Sequence, residues 1–358
     1  MDILRWKTNL EFTAWPMKIY TKVSFYNPKG ELARRLGVLG FLSSGYERVF
    51  ECFAGGGVRT VMYSLYGGAK EIWANEGDKE AFCELRINLL LKGIKNVKTF
   101  RRDIFNLSLE LANKGLSFEF VDVDPFGSPS KFLPYVFLLS KPGSMIYITS
   151  TDMPTLAGKR GKESFRLYGT YIPRFPFYPE IGLRALIYKV WDVASSFDMG
   201  VEPMLYLYEG YAYRLLVKVL KKPNTENIGF IHMCKVCGYF GFDSLPRGIC
   251  EICGGENIIS GNIWIGKIKD NGFVSRMLNF AEKLGWNDAE RFLKKLLEEL
   301  DIPLYYELSS MKLRFMPKTK ELIKRIKDLG YSASLATFSN TGIKTNMPFK
   351  EFVGLLIT

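Results

Sequence analysis

Histidine is almost missing from this chain: of 358 residues only His232 is one. We expect it at the surface and without a catalytic part, which leaves carboxylates to serve as bases. Long apolar runs are missing too. None approaches the roughly 20 residues a helix needs to cross a bilayer, and the N-terminal MDILRWKTNLEF has no apolar signal core. There is no internal repeat and no low-complexity tract, which excludes repeat arrays. A membrane role is therefore not expected, and the chain is placed in the cytoplasm. There the six cysteines stay reduced, and clustered ones suit metal better than disulfides. Acidic residues are outnumbered, 37 against 49 lysines and arginines, for a net charge of +12. That excess fits a polyanion such as nucleic acid, although a plain basic protein has the same balance.

What is present is enough hydrophobic material, 47%, to fill the cores of two ordinary domains. Short apolar runs at 48–54, 71–76, 97–103, 118–124 and 144–152 alternate with helical spacing such as Asp78 to Lys92. This alternation predicts a parallel sheet with helices on both faces. A helix is expected from Glu180 through Phe197, then two closing strands, PMLYLY and YRLLVKVL. The polar KKPNTEN (221–227) has the character of a linker. Beyond it lie a cysteine-rich stretch (231–255), helices at about 270–300 and 317–329, and strand-like runs over the last 30 residues. The expected domains are 1–222 and 223–358.

Ligands of open parallel sheets bind at the carboxyl ends of the strands. After the first run comes Ala54-Gly55-Gly56-Gly57-Val58-Arg59. Glycines at Gly55 and Gly57 let backbone approach a ligand, but a tight turn needs glycine as well. Glu76 ends the second run, about 20 residues on, where an acid holds ribose hydroxyls. The loop is not G-x-G-x-x-G and no second phosphate site follows, which favours a phosphate-free nucleoside cofactor such as S-adenosylmethionine. Asp103 can accept from an adenine amine with Ile104 against the ring, or simply cap a helix.

The most specific signal ends the fourth run: Asp122-Val123-Asp124-Pro125-Phe126-Gly127. A carboxylate, a proline and an aromatic here resemble the D/N-P-P-Y/F motif of methyltransferases that act on exocyclic amines. The nitrogen lone pair of such an amine is delocalised into the ring. A hydrogen bond to Asp124 localises it and can take up the proton. The Pro125 carbonyl can accept the second amine hydrogen, and Phe126 can stack on a base turned out of its helix. Asp122, two residues earlier, can support Asp124. Asp-Pro-Phe-Gly is also an ordinary turn sequence.

Cys234-x2-Cys237 and Cys250-x2-Cys253 are each followed by glycine, at Gly238 and Gly254. Four thiolates at this spacing predict a closed, structural zinc site. Cys52 and Cys83 are expected in the core.

Together these segments resemble the tRNA guanine-26 N2-dimethyltransferases of archaea and eukaryotes, nearly end to end. Val23-Ser24-Phe25-Tyr26-Asn27-Pro28, Asp-Pro-Phe-Gly-Ser-Pro (124–129), Thr151-Asp152, Leu156-Ala157-Gly158, Tyr168-Gly169 and Glu180-Ile181-Gly182-Leu183-Arg184 match. So do Pro303-Leu304-Tyr305-Tyr306, Leu329-Gly330-Tyr331 and Ile343-Lys344-Thr345. Where the family has Asn-Arg-Asp this chain has Ala33-Arg34-Arg35, so Arg34 keeps the cofactor arginine and Arg35 replaces the acid. The family's Ser-Gly-Ile-Arg is here Gly56-Gly57-Val58-Arg59, and a histidine common near position 337 is Thr337.

The resemblance implies an α/β fold: a Rossmann-like class I methyltransferase domain plus a smaller α+β C-terminal domain with a zinc-binding insert. It implies transfer of methyl groups from S-adenosyl-L-methionine to guanine N2 in tRNA, with structural Zn2+ and no obligate protein partner. Glu76 and Asp103 are then expected on ribose and adenine, and Arg34 and Arg59 near the methionine carboxylate. Two other readings stay open: an amino-methyltransferase acting on another nucleic acid or a protein amide, and an RNA-binding protein that keeps the fold.

Overall fold

The computed structural model describes residues 12–13, 19–21, 27–311 and 315–357. Val23 to Tyr26, part of one matching motif, lie outside the described residues. The chain divides into two compact units. The first comprises residues 1–149, 216–221 and 276–290, and the second 150–215, 222–275 and 291–358. One crossing falls between Lys221 and Lys222, at the start of the linker-like segment.

The first unit begins with short strands β1 (Phe12–Thr13) and β2 (Ile19–Tyr20) and helix α1 (Glu31–Ser44). Then strands and helices alternate: β3 (Arg48–Glu51), α2 (Val58–Leu65), β4 (Glu71–Asn75), α3 (Lys79–Leu91), β5 (Val97–Phe100), α4 (Ile104–Asn113), β6 (Phe120–Val123), α5 (Leu133–Leu138) and β7 (Met145–Ser150). All five expected runs are strands, and they pair with one another in parallel. β6 and β7 are buried at every residue, as strands covered on both faces must be. Phe50 stacks on Phe118 at 4.9 Å, and Phe120 meets Phe41 edge-on at 5.4 Å.

The sheet order is β5-β4-β3-β6-β7-β9-β8. Chain order therefore reverses between β3 and β6, and their carboxyl ends form the crevice where such sheets bind ligands. Side chains start the helices around it. Asp78 accepts from the Glu80 and Ala81 amides, and Asp103 from the Asn106 amide.

The second unit carries α6 (Met153–Leu156), α7 (Gly161–Tyr168), α8 (Tyr178–Ser195) and β8 (Gly200–Tyr208), and β9 (Tyr213–Leu220) passes back into the first at Leu216. The hairpin of the last two closes where the Glu209 amide donates to Ala212. Strands β10 (Ile228–Cys234), β11 (Phe240–Asp243) and β12 (Asn257–Trp264) form an antiparallel sheet with β10 central. The stretch expected as helix at 270–300, of which residues 276–290 belong to the first unit, is two helices, α9 (Asn271–Lys283) and α10 (Asn287–Glu298), because Gly285 turns to φ 66 between them.

A second small sheet joins β13 (Tyr306–Glu307), β14 (Ala333–Leu335) and β15 (Gly342–Thr345), with α11 (Thr319–Asp328) packed over it. The final stretch departs from the expected strand character. It closes as α12 (Phe349–Ile357), whose Phe352 is buried beside Leu322, Ile326 and Ile343.

Three matching motifs meet inside this unit. Glu180 Oε1 accepts from Arg184 Nε at 2.9 Å and from the Leu304 amide at 2.8 Å. Lys344 Nζ lies 3.2 Å from Glu180 and 3.1 Å from Glu299. Burial pushes the Glu180 carboxyl up, but Lys344 and Arg184 outweigh it and hold it below the usual range.

Candidate functional site

The glycine loop follows β3, and at one of its glycines any side chain would be strained. Gly57 has φ +81, and a Cβ on it would come within 2.4 Å of Leu85 Cδ1 and 3.3 Å of the Leu85 Cα. The loop is thus pressed against α3. Gly55, at φ +53, has nothing within 4 Å of an added Cβ and borders open space.

The Gly55 amide donates to Glu76 Oε2 at 2.8 Å, and the Asp78 amide donates to Glu76 Oε1 at 2.8 Å. Glu76 therefore stands at the end of β4 as a fixed, half-buried carboxylate beside the glycine loop. Asn75, 1% exposed, links the loops around it: its amide nitrogen donates to the Cys52 and Arg102 carbonyls, and its oxygen accepts from the Arg102 amide.

Asp103 caps α4 with one oxygen, so the capping role and exposure at the strand end coexist. Ile104 is buried behind it. Arg34, on α1, donates to the Asn27 carbonyl and lies 3.6 Å from Glu31. Arg35 pairs with Glu31 and Asp288 and covers the Trp286 ring at 5.6 Å. The residue that replaces the family's acid thus has a packing role.

Asp122 and Asp124 end β6, beside β3. The register sets Glu51 opposite Asp122. Asp122 is fully buried, Asp124 half-buried and Pro125 buried, while Phe126 is 81% exposed. Arg59, expected near a cofactor carboxylate, has its Nη1 2.5 Å from Asp122 and its Nη2 2.7 Å from Asp124. Asp122 also accepts from the Tyr63 hydroxyl at 2.7 Å. Asp122 and Asp124 are therefore joined through one buried guanidinium, a link that period-two spacing did not reveal.

Burial first, and then the Asp122 charge, push Glu51 up to about 8 despite Arg59 and the Thr60 hydroxyl. Burial also raises Asp122, against the pull of Arg59. At neutral pH Glu51 is thus largely uncharged, and Arg59 faces Asp122 and Asp124. Sequence reasoning missed Glu51, Thr60 and Tyr63. Two signals were available: Glu51 is a charge inside an apolar strand, and Tyr63 is one helical turn from Arg59.

In the second unit, Asp152 accepts from the Thr155 hydroxyl at 2.8 Å and from the Tyr168 hydroxyl at 3.5 Å. Cys234, Cys237, Cys250 and Cys253 bring their sulfurs within 4.8 Å of one another. Cys234 Sγ accepts from the Val236 and Cys237 amides, and Cys250 Sγ from the Ile252 amide. Gly238 and Gly254 take φ 77 and 74 at the ends of the two knuckles. This donor set fits a tetrahedral thiophilic metal.

Two expectations fail. Cys83 is exposed, because it falls on the outer side of α3, whereas Cys52 is buried. His232 is 2% exposed, not at the surface: it lies on the central strand β10 with Nδ1 3.3 Å from Asp243, and burial lowers its pKa. Among the described residues no helix is long and apolar enough to cross a membrane.

Comparison with known proteins agrees with this geometry. A tRNA (guanine(26)-N(2))-dimethyltransferase of Pyrococcus abyssi is 29% identical, over 99% of this chain and 98% of its own. One from Thermococcus kodakarensis is 31% identical over 93% and 92%. The structure of Trm1 from Pyrococcus horikoshii, solved with S-adenosyl-L-methionine, superposes with a TM-score of 0.84 at 27% identity, covering 94% of this chain and 96% of that one. The sequence model described as N2,N2-dimethylguanosine tRNA methyltransferase matches residues 9–357, and the chain belongs to that family.

Proposed function

We propose that this protein transfers methyl groups from S-adenosyl-L-methionine to the exocyclic N2 of a guanine in tRNA, guanine-26 by its relatives, giving N2-methyl- and N2,N2-dimethylguanosine. The observation that carries this is Asp124 at the carboxyl end of β6, beside the glycine loop at the reversal of strand order, held by Arg59. We assign residues 1–222 to the methyltransferase domain and 223–358 to the zinc and tRNA-binding domain, and place the enzyme in the cytoplasm with its substrate.

The cofactor supplies a methyl group on a sulfonium, a good leaving group. The chain's residues position the acceptor. Glu76, bonded to the Gly55 amide, suits two ribose hydroxyls, since a carboxylate accepts from both at once. Asp103 and Ile104 suit the adenine, and Arg34 a carboxylate. Asp124 accepts from the guanine amine, raises the electron density on N2 and takes the proton. The Pro125 carbonyl accepts the second hydrogen. Phe126, held out in solvent, supplies a stacking face. The four cysteines would hold zinc as a structural ion, with no coordination position left for substrate.

The test is mass spectrometry of nucleosides from unmodified tRNA incubated with enzyme and cofactor. N2-methylated guanosine at position 26 is expected. Methylation of another base, or none, overturns the proposal.

A further inference from the structure

Helix α7 has two unlike faces. Ser164 and Tyr168, one turn apart, are fully buried. The Ser164 hydroxyl donates to the Gly161 carbonyl at 2.8 Å, and the Tyr168 hydroxyl lies 3.2 Å from Ser150 Oγ. The Tyr168 hydroxyl, which also reaches Asp152, ties the helix to the loop that carries that acid. The outer face and its flanking turns expose Lys159, Arg160, Lys162, Arg166 and Arg174. Glu163 is the only acid from 159 to 174.

No ion pair involves any of these five cations among the described residues. Some exposed cations elsewhere are matched with acids, among them Lys70 with Glu47 at 2.5 Å, Lys98 with Glu71 at 2.6 Å and Lys114 with Glu110 at 2.6 Å. Two aromatic rings stand among the unmatched charges, Phe165 at 67% and Tyr171 at 50% exposure. The Tyr171 ring lies against the start of the helix, where a Cβ on Gly161 would come within 3.1 Å of it. Its backbone is anchored, since its carbonyl accepts from the Ser260 hydroxyl at 2.8 Å.

We propose that this face of α7 grips the ribose-phosphate backbone of the RNA substrate, with an unstacked base against Phe165. The inference rests on the tRNA reading above and adds the surface that holds the RNA. Unmatched cations gain most from phosphates, because each phosphate neutralised releases condensed counterions. Exposed rings among such cations suit bases in unpaired RNA, which stack on them whatever their sequence. An acidic protein surface would use the charges and leave the rings idle.

The experiment measures binding of an unmodified tRNA transcript across a salt series. Three variants are compared with wild type: Lys159→Ala/Arg160→Ala/Lys162→Ala, the control Lys70→Ala/Lys98→Ala/Lys114→Ala, which removes the same net charge, and Phe165→Ala. S-adenosylmethionine affinity, unchanged in all three, shows that the fold is intact. The α7 triple is expected to raise Kd about tenfold or more. It should also reduce the slope of log K against log salt by roughly 0.7–0.9 for each phosphate no longer neutralised. The control should stay within about twofold. Phe165→Ala should weaken binding with an unaltered slope, as stacking requires. If both triples shift Kd alike, or neither does, while wild type still methylates tRNA, the α7 surface is wrong and the enzymatic reading stands. If wild type neither binds nor methylates tRNA, both fall.

Discussion

Arg59 Nη2 and Asp124 Oδ2 lie 2.7 Å apart, and the same guanidinium holds Asp122. The carboxylate assigned to the guanine amine is therefore not a free side chain on a loop. It is locked to the helix that follows the glycine loop, so the acceptor and the cofactor loop share one support. Charge-assisted pairs of this kind fix orientation as well as charge.

Asp124→Ala should abolish methyl transfer while leaving cofactor and tRNA affinity nearly unchanged. Asp124→Asn keeps an acceptor oxygen but loses the charge and weakens the tie to Arg59. It should lower the single-turnover rate by about a hundredfold or more, within the range for loss of a positioned base. A near-wild-type rate for the asparagine variant at saturating tRNA would move the role to Asp122 or Asp152.

Glu76 bonds to the Gly55 and Asp78 amides and faces the proposed ribose position. Calorimetry on Glu76→Ala should show S-adenosylmethionine binding weakened by about 1–3 kcal/mol, the cost of a lost charged hydrogen bond. Unchanged affinity would remove Glu76 from the cofactor site.

Metal analysis of purified wild type should find one zinc per chain. Cys234→Ser should lower that content and the thermal stability of the chain, because binding of a structural metal is coupled to folding. Protein free of zinc, yet folded and active, would refute the assignment.

Glu51 gives a pH signature. Its folded pKa is raised to about 8 from a reference of 4.5, chiefly by burial. Between those values the folded state keeps a proton that the unfolded chain has released. The stability contribution is thus fully present below about pH 4.5 and lost as pH rises through about 8. Denaturation midpoints of wild type should fall over this window, and Glu51→Gln should flatten that fall. An equal slope in both proteins counts against a neutral Glu51.

Much of the design could be read from the chain alone. Five apolar runs bounded by glycine or acid became five parallel strands, since period and length suffice to separate buried strands from helices. The knuckle cysteines converged because two short turns, each closed by a left-handed glycine, leave them little other arrangement. Local chemistry decided those features.

Relations between distant segments were settled only in three dimensions. Nothing in the sequence marked what Arg59 pairs with: strand register set β6 beside β3, and the helix after the loop laid the guanidinium across Asp122 and Asp124. His232 looked like a surface residue because nothing local marks a central strand; pairing on both sides by β11 and β12 buried it. Glu180, Leu304 and Lys344 are far apart in the chain and lie in one buried ion cluster. Periodicity reports which face of an element is apolar, whereas packing chooses which polar groups share an interior, because a buried charge persists only where a partner reaches it.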